Sequence, residues 1–319
     1  MAASPASFSL RSSGSAVTDR AFALVALACG LAVLAILALI ALATTDQALP
    51  AFRHQGHGFL TSDRWAPSED SFGALPFVYG TMVVSAIALA LAVPVSIGIA
   101  LFLSELAPRR LRRPVTYVID LLAAIPSVVF GLWGLLVVAP VIIRLYDRVS
   151  SATESVPVLS TLFGSPVNGK SYFTAGLILA LMITPIVTSL IREVYDTVPR
   201  DHKEAALALG ATRWEMIRGA VFPHSRSGTV AAVMLGLGRA MGETIAAALV
   251  IGSSPQITAR IFGSGDAMAA VIANQFGEAG GIHRSALIGL GVVLFAMTIV
   301  VNMVARFVFG RSTAVAGER

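Results

Sequence analysis

The chain has 319 residues, of which 56% are hydrophobic and 13% are charged, and its mean hydropathy is +0.80. A soluble globule of this size needs more polar surface than that, so the composition indicates a membrane protein. The single cysteine, Cys29, excludes an intrachain disulfide and a cysteine-based metal site. The net charge of +5 would suggest nucleic acid in a soluble protein, but in membrane proteins basic residues collect in cytoplasmic loops.

Six apolar runs are long enough to cross the roughly 30 Å core of a bilayer, which takes about 20 helical residues. The predicted spans are 21–43, 75–103, 115–143, 172–191, 227–252 and 285–305. The first run is longer than the core of a signal peptide and lacks a clean cleavage site, so we expect a retained helix. The sequence therefore predicts an all-α membrane protein with six transmembrane helices.

The segments between the spans complete the predicted organisation. Residues 1–20 are rich in Ser and Ala and are predicted to be a disordered tail, and 309–319 a second tail. Residues 44–74 are predicted to be an external loop, and 75–308 a core domain of five spans with a polar loop at 192–226. The apolar run 267–276 is too short to span, which favours an external or re-entrant helix.

The distribution of Lys and Arg predicts the orientation of the chain. Fifteen of these residues fall on the side of the two tails and of the loop 192–226, seven fall on the other side, and Arg239 lies within a span. Because cytoplasmic loops carry an excess of Lys and Arg, both termini and the loop 192–226 are predicted to be cytoplasmic.

The loop 192–226 has the signals of a short surface helix. Pro199 ends the extension of the fourth span, and Asp201 and Glu204 have the spacing of a capping box. Residues 204–209 are good helix formers, and Gly210 stands where a helix C-terminus favours glycine. An amphipathic stretch that contains Trp214 follows. By physics alone, these helices could bind a partner or lie on lipid headgroups.

A resemblance to a known family favours the binding of a partner protein over a position on the lipid headgroups. The order Glu204-Ala205-Ala206, then Gly210, then Phe222-Pro223 resembles the EAA motif of bacterial ABC importer permeases, which have the MetI-like fold. The resemblance implies that Glu204, Ala205, Ala206 and Gly210 couple this chain to a cytoplasmic ATPase. It also implies that ATP and Mg are used by the ATPase, and that this chain is a non-catalytic subunit with no bound cofactor.

Arg239 and Glu243 are four residues apart within the predicted fifth span, a spacing that would place both on one helix face. A buried arginine should face a cavity or a partner, because lipid exposure costs roughly 2.5–3.5 kcal/mol. Two interpretations stay open: a structural ion pair, or a substrate pathway in which Arg239 contacts an anion and Glu243 orients it. Gly238 and Gly242 form a small-xxx-small pair that predicts close helix packing.

The surrounding residues resemble a narrower group. The segment Arg239-Ala240-Met241-Gly242-Glu243-Thr244 is similar to that of oxyanion permeases, and its Gly-Glu-Thr form to phosphate-specific importers. Residues 124–134 are similar to permeases of the PstC type. This resemblance implies a bacterial inner-membrane importer of phosphate with three partners: a second permease of the PstA type, a dimeric PstB-type ATPase and an external PstS-type phosphate-binding protein. Sulfate or molybdate is the alternative substrate.

Two other classes of membrane protein, secondary transporters and membrane enzymes, fit parts of this pattern. A secondary anion transporter would also place charges in the membrane, but it needs no cytoplasmic docking helix. A membrane enzyme needs a nucleophile and base or a metal site, and the intramembrane charges Asp120, Arg239 and Glu243 supply neither. No metal-ligand pattern was identified in the sequence.

Overall fold

The computed structural model describes residues 15–165 and 168–314, so the parts of the predicted tails at 1–14 and 315–319 lie outside it. The regular secondary structure of the described residues is helical except for one small hairpin. The helices are α1 (Ser15–Gln55), α2 (Gly58–Thr61), α3 (Leu75–Leu101), α4 (Arg109–Ala123), α5 (Ser127–Trp133), α6 (Ala139–Thr153), α7 (Pro157–Leu162), α8 (Tyr172–Asp196), α9 (Arg200–Ala208), α10 (Arg213–Met216), α11 (Phe222–Met241), α12 (Ile245–Val250), α13 (Met268–Gln275) and α14 (Gly281–Ala314), and the strands are β1 (Trp65–Ala66) and β2 (Ser71–Phe72).

Within the described residues, five helical segments are long and apolar enough to cross a membrane. They are Thr18–Gln55, Leu75–Leu106, Ser127–Thr153, Tyr172–Asp196 and Gly281–Phe307. The predicted count of six is not reached, because the run 227–252 is not one helix. It is broken between Met241 and Ile245, and α11 also begins with several polar residues.

The predicted span 115–143 also differs from the observed helices. Its first part belongs to α4, a separate helix that ends at Ala123, and the span starts only at Ser127. The break falls at Pro126, which lacks an amide proton and disfavours helical geometry in the residue before it. Two bonds from Arg112 Nη2 to the Asp196 carboxylate, 2.7 and 2.6 Å long, tie α4 to the end of α8.

The centre of the bundle is the pair α3 and α8. Along α3, buried small residues recur every fourth position, at Ala88, Ala92, Ser96 and Ala100. Such a stripe lets two helix backbones approach closely. From the other side, a Cβ added at Gly176 of α8 would come within 2.4 Å of Ile87. These two helices therefore form the frame on which the rest of the chain packs.

The predicted external loop 44–74 is more ordered than expected. Helix α1 continues to Gln55, and the hairpin of β1 and β2 packs beside α13 and α14. Trp65 Nε1 donates to Gln275 Oε1 at 3.1 Å, and the ring of Phe72 stacks on His283 at a centroid distance of 5.6 Å. The run 267–276, predicted to be an external or re-entrant helix, contains α13, whose first four residues are buried.

Three helices contain a π-helical turn, which holds one extra residue. These turns are Phe102–Leu106 after α3, Gly134–Val138 between α5 and α6, and Ile217–Val221 before α11. Such turns are rare and occur frequently at functional sites. Here the third turn lies within the loop 192–226, and the first contacts that loop through Glu105, so both adjoin the proposed coupling element.

Candidate functional site

Helix α9 is the short surface helix that the loop 192–226 was predicted to contain. It ends in a Schellman motif: the amide of Ala211 donates to the carbonyl of Ala206 at 3.2 Å, and that of Gly210 to Leu207 at 3.0 Å. Gly210 has φ +85°, a conformation that glycine adopts without steric cost. The residue of the EAA-like motif that ends the helix is therefore required by backbone geometry.

The start of α9 differs from the prediction. The helix begins after Pro199, so Asp201 lies inside its first turn and makes no capping bond. The capping box of this loop belongs instead to α10, where Thr212 and Glu215 bond each other's backbone amides at 2.7 and 3.3 Å. The donors of Thr212 lower the pKa of the Glu215 carboxylate.

The loop presents apolar side chains that the rest of the described chain leaves uncovered. Leu209 is 90% exposed and Trp214 is 59% exposed, and both stand beside the motif residues Glu204 and Ala205, which are also exposed. Exposed apolar groups next to a rigid helix end are typical of a protein interface. The surface formed by α9 and α10 can therefore receive a partner protein.

An ion pair connects α9 to the membrane helices. Lys203 Nζ lies 2.6 Å from Glu105 Oε1, and the side chains are only 18% and 8% exposed. Glu105 belongs to the π-helical turn that extends α3. The ion pair therefore links α9 to the extension of α3 through a contact that water screens little.

The break between α11 and α12 places Glu243 away from Arg239. Helix α11 ends at Met241, so the two residues do not share one helix face as the spacing predicted, and they form no ion pair. The nearly buried Glu243 carboxylate accepts from the amide of Ala246 at 3.2 Å instead. An anion at this position stabilises the first turn of α12.

Arg239 lines a cavity of about 1090 Å³ between α11 and α14. Its exposed side chain is accompanied there by Arg226 and Ser227 of the same helix and by Asn302 and Arg306 of α14. No acidic residue is among the described residues of the wall. The cavity is large enough for a hydrated oxyanion, and its charge favours one.

The predicted glycine pair does not pack against a helix of the described chain. A Cβ at Gly238 would meet no atom within 4 Å, and one at Gly242 would meet only the carbonyl of Gly238. Gly238 lines the cavity instead. The close approach between α11 and α8 occurs at Gly236, where a Cβ would lie 2.6 Å from Val187 Cγ2.

Sequence reasoning missed two groups of residues at this site. Arg226 and Arg306 were counted only as cytoplasmic charge, although they share a cavity with Arg239. The pair of Lys203 and Glu105 joins positions 98 residues apart, for which spacing offers no signal. For Glu243 the local signal is weak: a carboxylate is favourable near any helix N-terminus, but the sequence does not show that a helix starts here.

The comparisons with known proteins agree with one another. A family model described as binding-protein-dependent transport system inner membrane component matches residues 92–312. The phosphate transport system permease protein PstC of Mesorhizobium japonicum is 42% identical over 304 residues, which cover 95% of this chain and 93% of that protein. PstC of Xylella fastidiosa strain 9a5c is 46% identical over 262 residues, 82% of this chain and 81% of that protein.

A similar fold is found among solved structures. A bacterial ABC transporter involved in the import of the acidic polysaccharide alginate contains a chain that matches with a TM-score of 0.55. The match covers 92% of this chain and 96% of that chain at 16% identity, so the likeness concerns the fold alone. From the family model and the extent of the PstC matches, the chain belongs to the inner membrane components of binding-protein-dependent transport systems and, among them, to the PstC-type permeases.

Proposed function

We propose that this chain is the membrane permease subunit of an ATP-driven importer of inorganic phosphate. The observation that carries the proposal is the position of Arg239, which lines an open cavity whose described wall residues include no Asp or Glu, in a chain that belongs to the PstC-type permeases. A planar guanidinium binds phosphate oxygens in pairs. Facing a cavity also removes the cost of exposing this charge to lipid.

The proposed complex has four kinds of subunit. A PstA-type permease completes the pathway, a PstB-type ATPase dimer binds ATP and Mg on the cytoplasmic side, and a PstS-type protein delivers phosphate from outside. This chain is then a non-catalytic, multi-pass protein of the bacterial inner membrane with both termini in the cytoplasm. The excess of Lys and Arg on the side of the loop 192–226 supports that orientation.

In this complex, Glu204, Ala205 and Ala206 of α9, with Gly210 just after it, form the contact with the ATPase. The exposure of Glu204, Ala205, Gly210 and Leu209 supports this assignment, whereas Ala206 is only partly exposed. Closure of the ATPase dimer on ATP binding moves α9, and the contact of Lys203 with Glu105 passes the movement to α3. The pathway opens outward to receive phosphate, and hydrolysis returns it to the inward-open state.

Arg239 and Glu243 have different tasks in this proposal. Arg239 contacts the dehydrated anion directly. Glu243 fixes the break beside it by capping α12 through the amide of Ala246, and so orients the segment that carries Arg239. The anion must leave again, so one arginine in an open cavity is better suited than a closed cage of several donors.

The test is uptake of labelled phosphate by vesicles that contain the full complex and ATP. We expect excess sulfate to compete poorly, and Arg239→Gln to abolish uptake while the complex still assembles. Arg144→Gln serves as the matched control, because Arg144 is an exposed arginine of α6 that does not line the cavity.

The contrary outcomes are distinct. Competition by sulfate or molybdate would assign another oxyanion. Uptake that follows the proton gradient and ignores ATP would indicate a secondary transporter. Full activity of Arg239→Gln would return Arg239 to a structural role.

A further inference from the structure

The cavity between α11 and α14 contains cationic groups at two depths. Arg226 and Arg239 are separated by 13 residues of one continuous helix, which corresponds to about 20 Å along its axis. Both line the same cavity of about 1090 Å³. Arg226 therefore lies near the end of α11 that adjoins α9 and α10, and Arg239 lies about 20 Å farther along the helix axis.

Helix α14 adds a third arginine at the shallow end. It begins at Gly281, close to the external hairpin, and Arg306 follows 25 residues later, about 38 Å along the axis. Arg306 therefore lies on the same side of the bundle as Arg226. Asn302 and Ser227 are the polar neutral residues of this part of the wall.

The wall between the two depths is apolar. Val230, Met234 and Ile299 are among the residues that separate Arg239 from the shallow end. An anion that leaves Arg239 therefore crosses an apolar stretch before it meets the next cation. Two binding stations in series allow an ion to enter favourably and still leave, because neither has to bind tightly.

We propose that Arg226 and Arg306, with Ser227 and Asn302, form a second anion-binding station at the cytoplasmic end of the cavity, which takes a phosphate-type oxyanion on its way from Arg239 to the cytoplasm. The proposal rests on the proposed function, in that the transported anion is the ligand. The same chemistry would also fit the phosphate headgroup of an anionic lipid, so the test separates the two sources.

The first experiment measures access and charge. Cys29→Ser makes the chain free of cysteine, and Asn302→Cys then places one thiol in the shallow wall. In the reconstituted complex, we expect an anionic methanethiosulfonate reagent to label this thiol roughly tenfold faster than a cationic one, because the arginines concentrate anions. Val304→Cys is the matched control, since Val304 is exposed on the same helix but does not line the cavity.

Inorganic phosphate on the cytoplasmic side should slow labelling of Asn302→Cys and leave Val304→Cys unaffected. The labelling is repeated in vesicles of phosphatidylcholine alone and with added phosphatidylglycerol, and is read on this chain after the subunits are separated. Protection by phosphate in both lipids supports the station. Slower labelling that is caused by phosphatidylglycerol itself, with no further effect of added phosphate, would overturn the station in favour of a lipid site.

The second experiment measures transport. The double variant Arg226→Gln with Arg306→Gln should lower the maximal uptake rate several-fold. In the Asn302→Cys protein, the same two changes should abolish the preference for the anionic reagent. Arg→Lys at both positions should restore most of the uptake rate and of the preference. Arg144→Gln, which removes an exposed charge outside both the cavity and the loop 192–226, should have little effect. An unchanged rate and reagent preference in the double variant would overturn the station while leaving phosphate import intact. Protection by sulfate and not by phosphate would contradict phosphate as the transported anion, but would support an anion-binding station at this position.

Discussion

The ammonium group of Lys203 lies 2.6 Å from the Glu105 carboxylate, so α9 is connected to α3 by a contact that is largely shielded from water. An exposed ion pair contributes little to stability, whereas a shielded one can fix how two elements sit on each other. Since α9 is the proposed ATPase contact and α3 is half of the central pair, this ion pair stands at the step where nucleotide binding becomes movement of the membrane helices.

Lys203→Met is expected to uncouple ATP hydrolysis from transport. Loss of the ammonium leaves Glu105 nearly buried and unpaired, and α9 can then move without α3. The measurement compares ATPase activity and phosphate uptake of the same reconstituted complex. A double-mutant cycle with Glu105→Gln, read by thermal unfolding, should give an interaction free energy of about 0.5–3 kcal/mol. Strictly additive effects would contradict the role of the pair.

Gly210→Ala should weaken binding of the ATPase subunit. Gly210 has φ +85°, which costs an L-residue about 1–2 kcal/mol, so the end of α9 would rearrange. Co-purification of the ATPase with the permease measures the effect. Gly219→Ala is the control, because Gly219 lies in the same loop, has open space for a Cβ and has no positive φ. Equal co-purification of both variants would count against the prediction.

Gly236→Ala is expected to destabilise the contact between α11 and α8. The new Cβ would lie 2.6 Å from Val187 Cγ2, and overpacking of this kind costs about 1–3 kcal/mol. Thermal unfolding of the purified complex should show the loss, and Val187→Ala should restore part of it. Gly238→Ala, where nothing lies within 4 Å of the new Cβ, should not lower stability and should raise it by about 0.5–1 kcal/mol, because alanine is the better helix former.

Asp266, which lies just before α13, should make the stability of the protein depend on pH. Burial raises the pKa of its carboxyl from 3.8 to about 6. Between these two pH values the folded protein therefore holds a proton that the unfolded chain has released. This contribution is complete below pH 3.8 and is lost as the pH rises through 6. Asp266→Asn cannot titrate and should therefore lack this loss of stability, which amounts to about 1.4 kcal/mol between pH 5 and pH 7.5 and is measured by thermal unfolding at the two pH values. A pH profile identical to that of the parent protein would refute this.

The sequence predicted features that depend on neighbouring residues better than features that depend on the tertiary structure. The glycine at the end of α9 was predicted correctly, because the Schellman motif needs only Gly210 and the residues next to it. The break after Met241 was not predicted, because Gly242 and Thr244 hardly interrupt an apolar run and the cap from Glu243 to Ala246 forms only when the chain turns. The membrane class and the family followed from composition and motif, and the comparisons confirm both.

The arrangement of the cavity could not be predicted in the same way. Arg226 and Arg306 are 80 positions apart, and only the packing of α14 on α11 brings them to one wall. The same holds for the external hairpin, where Trp65 bonds Gln275 across 210 positions. The roles of Arg239 and Glu243 in transport and of the EAA-like residues in coupling remain predictions, each with its own experiment.

The π-helical turn at Ile217–Val221 determines which way α11 faces. A π turn holds one residue more than an α turn, and each residue of an α-helix rotates the chain by about 100°. Removal of a single residue there would restore regular α-helical winding, yet it would rotate the arginines of α11 a quarter turn or more away from α14. The direction in which the cavity arginines face thus depends on one extra residue in the loop 192–226.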